Sequence, residues 1–199
     1  ITAAKSLVQQ VGEDPENEEN IELARVALEE LDRVERSISH LLRYAKEEAV
    51  EREQVNLHQA VASSAEALSD KQGVVTVDTQ VPEDLMVRAD ADKIRRVFIN
   101  LIHNALDALH AQGGDLITVQ AGHNLAGNEV WIKVRDNGPG IEPDRRAQVF
   151  QPFHTSKETG TGLGLSITKK LIEAHAGRIE LIDRDQGTEF EITLPVIKP

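Results

Sequence analysis

Three clusters between Asn100 and Thr161 combine residue types and spacings that can do chemistry. In N-L-I-H-N-A-L-D-A, Asn100, Asn104 and Asp107 fall at i, i+4 and i+7, on one face of a helix. Carboxamide oxygens are hard and neutral, suited to completing the shell of a hydrated magnesium ion carried by nucleotide phosphates. Asparagine is a middling helix former, so two of them one turn apart in an apolar helix have a cost. An exposed polar stripe is the plain alternative. In D-N-G-P-G-I, Asp136 ends a strand-like run and can accept a hydrogen bond from an exocyclic amine such as that of adenine. Gly138 and Gly140 let the backbone turn and approach a flat ligand, although a simple Asx turn would use the same residues. In F-Q-P-F-H-T-S-K-E-T-G-T-G-L-G-L, Gly160, Gly162 and Gly164 precede a helix beginning near Leu163, where bare amides can meet phosphate. Lys157 adds a mobile cation, and a flexible connector is the competing reading. No Gly-Lys-Ser/Thr follows, so this is not a Walker loop, and Leu165 stands where a dinucleotide fingerprint has its third glycine.

In this order and at these separations, the clusters are far more specific than any one of them. They resemble the N box, first glycine box, F box and second glycine box of the ATP-binding domain of sensor histidine kinases. The ending G-T-E-F-E-I-T-L-P, Gly187 to Pro195, is similar to that family's final strand. The resemblance implies ATP and Mg2+ as cofactors, with Asn104 as the magnesium ligand. Asn104 and Lys157 are the catalytic candidates it supplies, and His103, next to Asn104 in the sequence, is a third. Nucleotide contacts carry over from the N box to Asn100, Asn104 and Asp107, and from the first glycine box to Asp136, Gly138, Gly140 and Ile141. The F box and lid contribute Phe150 and Lys157. From the second glycine box come Gly160, Thr161, Gly162, Leu163, Gly164 and Leu165, and from the last strand Thr188, in support of an adenine contact by Asp136. The lid is short, as in the nitrogen-regulator-like branch of these kinases.

These residues need elements to hold them. Ile94, Val97, Phe98, Leu101, Ile102, Ala105, Leu106 and Leu109 keep helical spacing and predict a buried face opposite the asparagines, with Asp90 as the cap. Val130, Ile132 and Val134 alternate with Trp131, Lys133 and Arg135, as in a half-buried strand that delivers Asp136. Further strands are expected near 74–79, 85–89 and 115–121, and a last hairpin over 178–183 and 188–194. Asn56 should cap a helix to about Ser69, and Leu163–Ala176 should be helical with Gly177 as its stop. The expected fold class is α+β: five strands and three main helices in a two-layer α/β sandwich over residues 55–199, of the gyrase, Hsp90 and histidine-kinase type.

Ahead of it, residues 1–54 read as a helical hairpin. Ile1, Ala4, Leu7, Val8 and Val11 share a helical face, Gly12 to Asn17 turns, and a helix from about Glu18 to Glu53 carries Ile21, Ala24, Leu28, Leu31, Ile38, Leu42 and Ala45 in heptad register. A lone hairpin cannot cover such a face, so a homodimer forming a four-helix bundle is the expected state. The hairpin resembles the dimerisation and phosphoacceptor domain of the same kinases. The phosphoacceptor motif, a histidine followed by an acidic residue and an Asn-Pro or Thr-Pro step, is absent; the resemblance places it upstream of Ile1. His40 lacks that context and reads as a surface histidine beside the seam.

The formal charge of -12 argues against nucleic acid or an anionic membrane surface as a partner. The absence of cysteine removes disulfides and thiolate metal sites, and no apolar run has spanning length. A cytoplasmic segment of a parent protein that could itself be membrane-anchored fits these facts. The function implied is an ATP-dependent protein-histidine kinase passing phosphate to a response-regulator receiver domain. Its alternatives are another ATPase or kinase of the superfamily and a non-catalytic, nucleotide-responsive dimerisation module.

Overall fold

The structure, a computed structural model, describes residues 20–22, 24–28, 31, 34, 49–155 and 161–196. The chain divides into two compact units, one of residues 1–47 and 156–161, the other of 48–155 and 162–199. In the first unit the described residues between 20 and 34 are helical. The remainder of the hairpin expectation, including His40, lies outside the described residues.

The second unit runs β1 (Glu53–Asn56), α1 (Leu57–Glu66), α2 (Ser69–Gln72), β2 (Thr76–Gln80), β3 (Met86–Ala89) and α3 (Ala91–Gln112). It continues with β4 (Leu116–His123), β5 (Glu129–Asp136), α4 (Pro143–Arg146), α5 (Gly164–Ala174), β6 (Arg178–Ile182) and β7 (Glu189–Pro195). Five strands form one sheet in the order β2-β4-β5-β7-β6. Its neighbours are antiparallel except for β2 and β4, which run parallel. β1 and β3 make a separate antiparallel pair.

Alternation decides which face of the sheet is covered. Ile117 and Val119 of β4, Val130, Ile132 and Val134 of β5, and Ile192 and Leu194 of β7 are buried, joining one core with the helices. α3 supplies the expected apolar face, with Ile94, Phe98, Leu101, Ile102 and Leu106 all at most 1% exposed. Asp90 caps α3 by accepting from the Lys93 amide at 3.1 Å, and Asn56 caps α1 by accepting from Gln59 N at 2.9 Å. On the other face Lys133 pairs with Glu191 at 3.2 Å and Arg178 with Glu129 at 3.5 Å. The polar groove among these residues and Trp131 is thus neutralised from within.

Two expectations are corrected. The long helix does not reach Glu53: residues 49–52 are not helical, and Glu53–Asn56 is a strand. Tertiary partners outweigh helical propensity here. Val55 pairs with Val87, Glu51 N donates to Asp90 Oδ2 at 3.2 Å, and Lys93 Nζ donates to the Ala49 carbonyl at 2.9 Å. Secondly, the left-handed residue after α5 is Ala176, at φ 59°, rather than Gly177. Gly177 serves close approach instead, since a Cβ there would lie 2.5 Å from the Thr193 carbonyl oxygen.

His175 locks the end of α5 to the start of α3. It is 2% exposed; its Nδ1 donates to the Leu171 carbonyl at 2.6 Å and its Nε2 accepts from Asp90 N at 3.0 Å. That tautomer is neutral, and burial pushes the imidazole below its ordinary value of 6.5. The unfolded chain therefore binds the proton more readily, so the neutral histidine's contribution is complete above about pH 6.5 and is lost as pH falls below it. His175→Gln should destabilise the protein at about pH 7.5. Urea melts of both proteins should show the gap narrowing towards about pH 5.5; a gap that widens with acid would refute the assignment.

Candidate nucleotide site

β5 ends on Asp136, whose side chain is carried to the core-facing end of the strand and is 5% exposed. Its Oδ1 accepts from Gly138 N at 2.9 Å and Thr188 N at 3.1 Å. Burial raises its pKa above the ordinary 3.8, and the amides of Gly138 and Thr188 and the Thr188 hydroxyl oppose that rise. One carboxylate oxygen is thus occupied by the protein's own donors. The β5 and β7 ends close around it, with Asp136 N donating to the Thr188 carbonyl at 2.9 Å.

Glycines make that closure possible. A Cβ on Gly187 would stand 1.9 Å from the Asp136 carbonyl oxygen, and one on Gly140 would stand 2.9 Å from the Gly187 oxygen. Both have positive φ, 76° and 82°. Gly187 was legible in the sequence only as a turn residue before the last strand. Asn137 adds a second clamp: its Oδ1 accepts from the amides of Asp115 and Leu116, each at 3.0 Å, which fixes the start of β4. Ile141 and Phe150 are half-buried against the core, and Phe150 meets Phe190 edge-on at 5.9 Å.

The second cluster forms where α5 begins. Leu163, the N-cap, offers no side-chain cap, so the backbone amides of the first turn, not a capping side chain, mark the start of this helix. Gly164 lies against α3: a Cβ there would fall 2.5 Å from Asn100 Oδ1. Asn100 Nδ2 donates to Thr168 Oγ1 at 2.8 Å. Gly162, at φ 66°, packs against the backbone of Phe153 and His154, where a Cβ would fall 2.5 Å from the Phe153 carbonyl carbon. Leu163 is buried and Leu165 half-buried. Lys157 and Gly160 lie outside the described residues, and Thr161 belongs to the other unit.

α3 spans both clusters. Gly138 lies against Leu109, where a Cβ would be 3.2 Å from Leu109 Cδ2, while Gly164 meets Asn100. Those contacts are separated by roughly 13 Å of helix, the scale of a nucleoside triphosphate rather than of a base alone. Asn104 and Asp107, half-buried, fall on the polar face between them. His103 stands at the edge of that face, its Nδ1 3.2 Å from Asp107 Oδ2 and its Nε2 2.9 Å from Lys71 Nζ on α2.

The residues present fit an adenine nucleotide with its magnesium. A buried acceptor marks one end, the glycine-rich start of α5 marks the other, and carboxamide side chains lie between. Among the described residues no group of three histidine, cysteine or carboxylate side chains could hold a metal alone. The neutral donor set suits an ion that arrives on phosphate oxygens.

Comparison with known proteins agrees with this geometry. Residues 89–198 match the family model "Histidine kinase-, DNA gyrase B-, and HSP90-like ATPase". The sensor histidine kinase ZraS of Salmonella typhi is 36% identical over 202 residues, covering 99% of this chain and 43% of that protein. The sensory histidine kinase/phosphatase NtrB of Escherichia coli O157:H7 is 40% identical over 128 residues, covering 61% of this chain and 36% of the relative. The chain therefore spans less than half the length of these curated relatives. The crystal structure of histidine kinase ThkA in complex with response regulator protein TrrA superposes with a TM-score of 0.75 at 27% identity, over 98% of this chain and 57% of that one. In sequence, fold and the order of its boxes, the chain belongs to the histidine kinase-, DNA gyrase B- and HSP90-like ATPase family and carries the ATP-binding catalytic domain of a sensor histidine kinase.

Proposed function

We propose that this chain is the ATP-dependent kinase core of a two-component protein, with its dimerisation hairpin ahead of residue 48 and its ATP-binding domain from there on. The observation that carries the reading is the buried Asp136 acceptor at one end of α3 and the uncapped first turn of α5 at the other. Adenine's exocyclic amine donates to Asp136, backed by Thr188, while Gly138, Gly140 and Ile141 border the base. Asn100, Asn104 and Asp107 face the phosphates, with Asn104 as ligand of the magnesium that neutralises phosphate charge when bound. Gly162, Leu163, Gly164 and Leu165 present backbone at the phosphate end, and by resemblance to the family Phe150, Lys157, Gly160 and Thr161 are assigned to the lid. His103, tied to Asp107, is a proton-handling candidate next to Asn104.

In the reaction proposed, a histidine nitrogen attacks the terminal phosphorus, the bond to the bridging oxygen breaks, and ADP leaves. The phosphoryl group then passes to an aspartate carboxylate of a receiver domain. The protein's part is positioning and charge neutralisation. A response-regulator partner is supported by the ThkA–TrrA complex. No described helix is long and apolar enough to cross a membrane, in keeping with the cytoplasmic location proposed.

Dimerisation is supported by Ile21, Leu28 and Leu31, which share a helical face yet are 56%, 62% and 48% exposed in the single chain. Leu28→Lys should shift sedimentation from dimer towards monomer; unchanged mass would refute pairing through this face.

Asp136→Asn tests the site. The carboxamide can still accept the two amides but turns a donor towards adenine, so ATP affinity should fall about 10- to 100-fold by calorimetry, and the preference for ATP over GTP should collapse. Because burial raises the carboxyl's pKa, its ionised form costs stability above the unfolded value of 3.8, an effect lost as pH falls to that value. The variant should thus melt no lower than the native protein at about pH 7.5, with the difference closing near pH 4. Unchanged ATP affinity would overturn the adenine assignment. Incubation with terminally labelled ATP, magnesium and a histidine-bearing hairpin of a related kinase should give acid-labile phosphoprotein; ATP consumption with no phosphoprotein would overturn the kinase reading in favour of an ATPase.

A further inference from the structure

The second unit begins at Glu48, and the chain passes through Ala49–Arg52, four residues in neither helix nor strand, before β1 starts. Those four are tied down at both ends. Lys93 Nζ, on the first turn of α3, donates to the Ala49 carbonyl at 2.9 Å and to Asp90 Oδ2 at 2.7 Å. The same Oδ2 accepts from Glu51 N at 3.2 Å. At the other end Arg52 Nη2 donates to the Ala174 carbonyl at 3.2 Å, at the last residue of α5, where a cation suits the helix dipole. The seat itself is fixed, because Asp90 N donates to the buried His175 at 3.0 Å.

The two fastenings differ in strength. The side chains of Lys93 and Asp90 are only 12% and 11% exposed, so their charge-assisted bonds are little screened. Arg52 is exposed, and water competes for its one bond. The Asp90 carboxylate also keeps two tasks apart. Its Oδ1 caps α3 by accepting from the Lys93 amide at 3.1 Å, while Oδ2 receives the entering chain. The entering residues can therefore come away without uncapping the helix.

We propose that Ala49–Arg52 is a latched strap, with Lys93 as its catch, that sets where the rigid body of this unit begins. Closed, that body begins at Ala49. Open, it begins at Glu53, and the connection to the chain ahead is longer by four residues, about 13 Å of reach at roughly 3.3 Å each. The geometry of the strap stands on these contacts alone. Its purpose rests on the kinase reading above, in which the domain must carry a phosphoryl group to a histidine borne elsewhere, so that the length of its tether limits how far it delivers.

The test is NMR amide exchange and 15N relaxation on the whole chain, for native protein, Lys93→Met and Arg52→Gln, with calorimetric titration of each with ATP and magnesium. In the native protein the Glu51 amide should exchange at least about tenfold more slowly than an unstructured amide, and residues 49–52 should relax as rigidly as β5. In Lys93→Met, exchange at Glu51 should quicken about tenfold and the strap should relax as mobile chain. The β5 amides should keep their protection, and ATP affinity should stay within about twofold. Arg52→Gln, at the weaker fastening, should leave Glu51 within about twofold of native. Fast exchange at Glu51 in the native protein would show a strap that is not latched. Unchanged exchange in Lys93→Met, or a tenfold rise in Arg52→Gln, would show that Lys93 is not the catch, and protection lost throughout α3 and β5 would show a residue of general stability. Each of these overturns the proposal. A native chain that does not bind ATP removes the kinase reading and leaves the result for the strap standing. Should Lys93→Met not fold, native relaxation and Arg52→Gln decide: a mobile strap in the first, or one released in the second, refutes the catch at Lys93.

Discussion

A carboxylate held out of water is the constraint from which the rest of the site follows. Desolvation penalises the charged form of Asp136 and raises its pKa, and the donors that oppose this come from its own loop and from the approach to β7. That requires two loops to meet at backbone distance. Gly140 and Gly187 are the residues at which they meet, and neither tolerates a Cβ. The antiparallel pairing of β5 with β7 sets the register that makes the meeting possible, with Arg135 opposite Glu189. Sheet topology, loop composition and ligand chemistry are therefore one problem with one solution.

α3 imposes the second constraint. One side must bury Ile94, Phe98, Leu101, Ile102 and Leu106, while the other must hold short polar side chains between two elements that approach it closely. A helix with opposed demands on its faces has little freedom to rotate. A small rotation would expose a fully buried aliphatic residue and move Asn100 away from Thr168 together.

Much of this was legible in the sequence because the signals are local. Asp90 ahead of an apolar helical period, alternation through Val130, Ile132 and Val134, and the order of the glycine boxes each need only neighbouring residues to be read. β1 was hidden because E-Q-V-N has a single apolar residue and its partner, β3, lies beyond α1 and β2. Ala176 and Gly177 could not be told apart locally; the contact with the Thr193 oxygen on β7 decides that position 177 must lack a Cβ. The contact of Thr168 with Asn100 was invisible for the same reason, since it joins two helices. Gly187 looked like any turn glycine until the Asp136 carbonyl was placed beside it.

The parallel pairing of β2 with β4 has a consequence for how the chain comes to be folded. The edge strand can join the sheet only after the whole stretch from Val81 to Asp115 has been looped back, and most of that stretch is β3 and α3. Closing so long a loop is entropically unfavourable until α3 lies across the sheet and its apolar side is covered. The nucleotide-facing residues are thus borne by the crossover itself. The binding face and the edge of the sheet thus belong to one crossover: the loop that bears the nucleotide-facing residues is also the loop whose closure sets β2 beside β4.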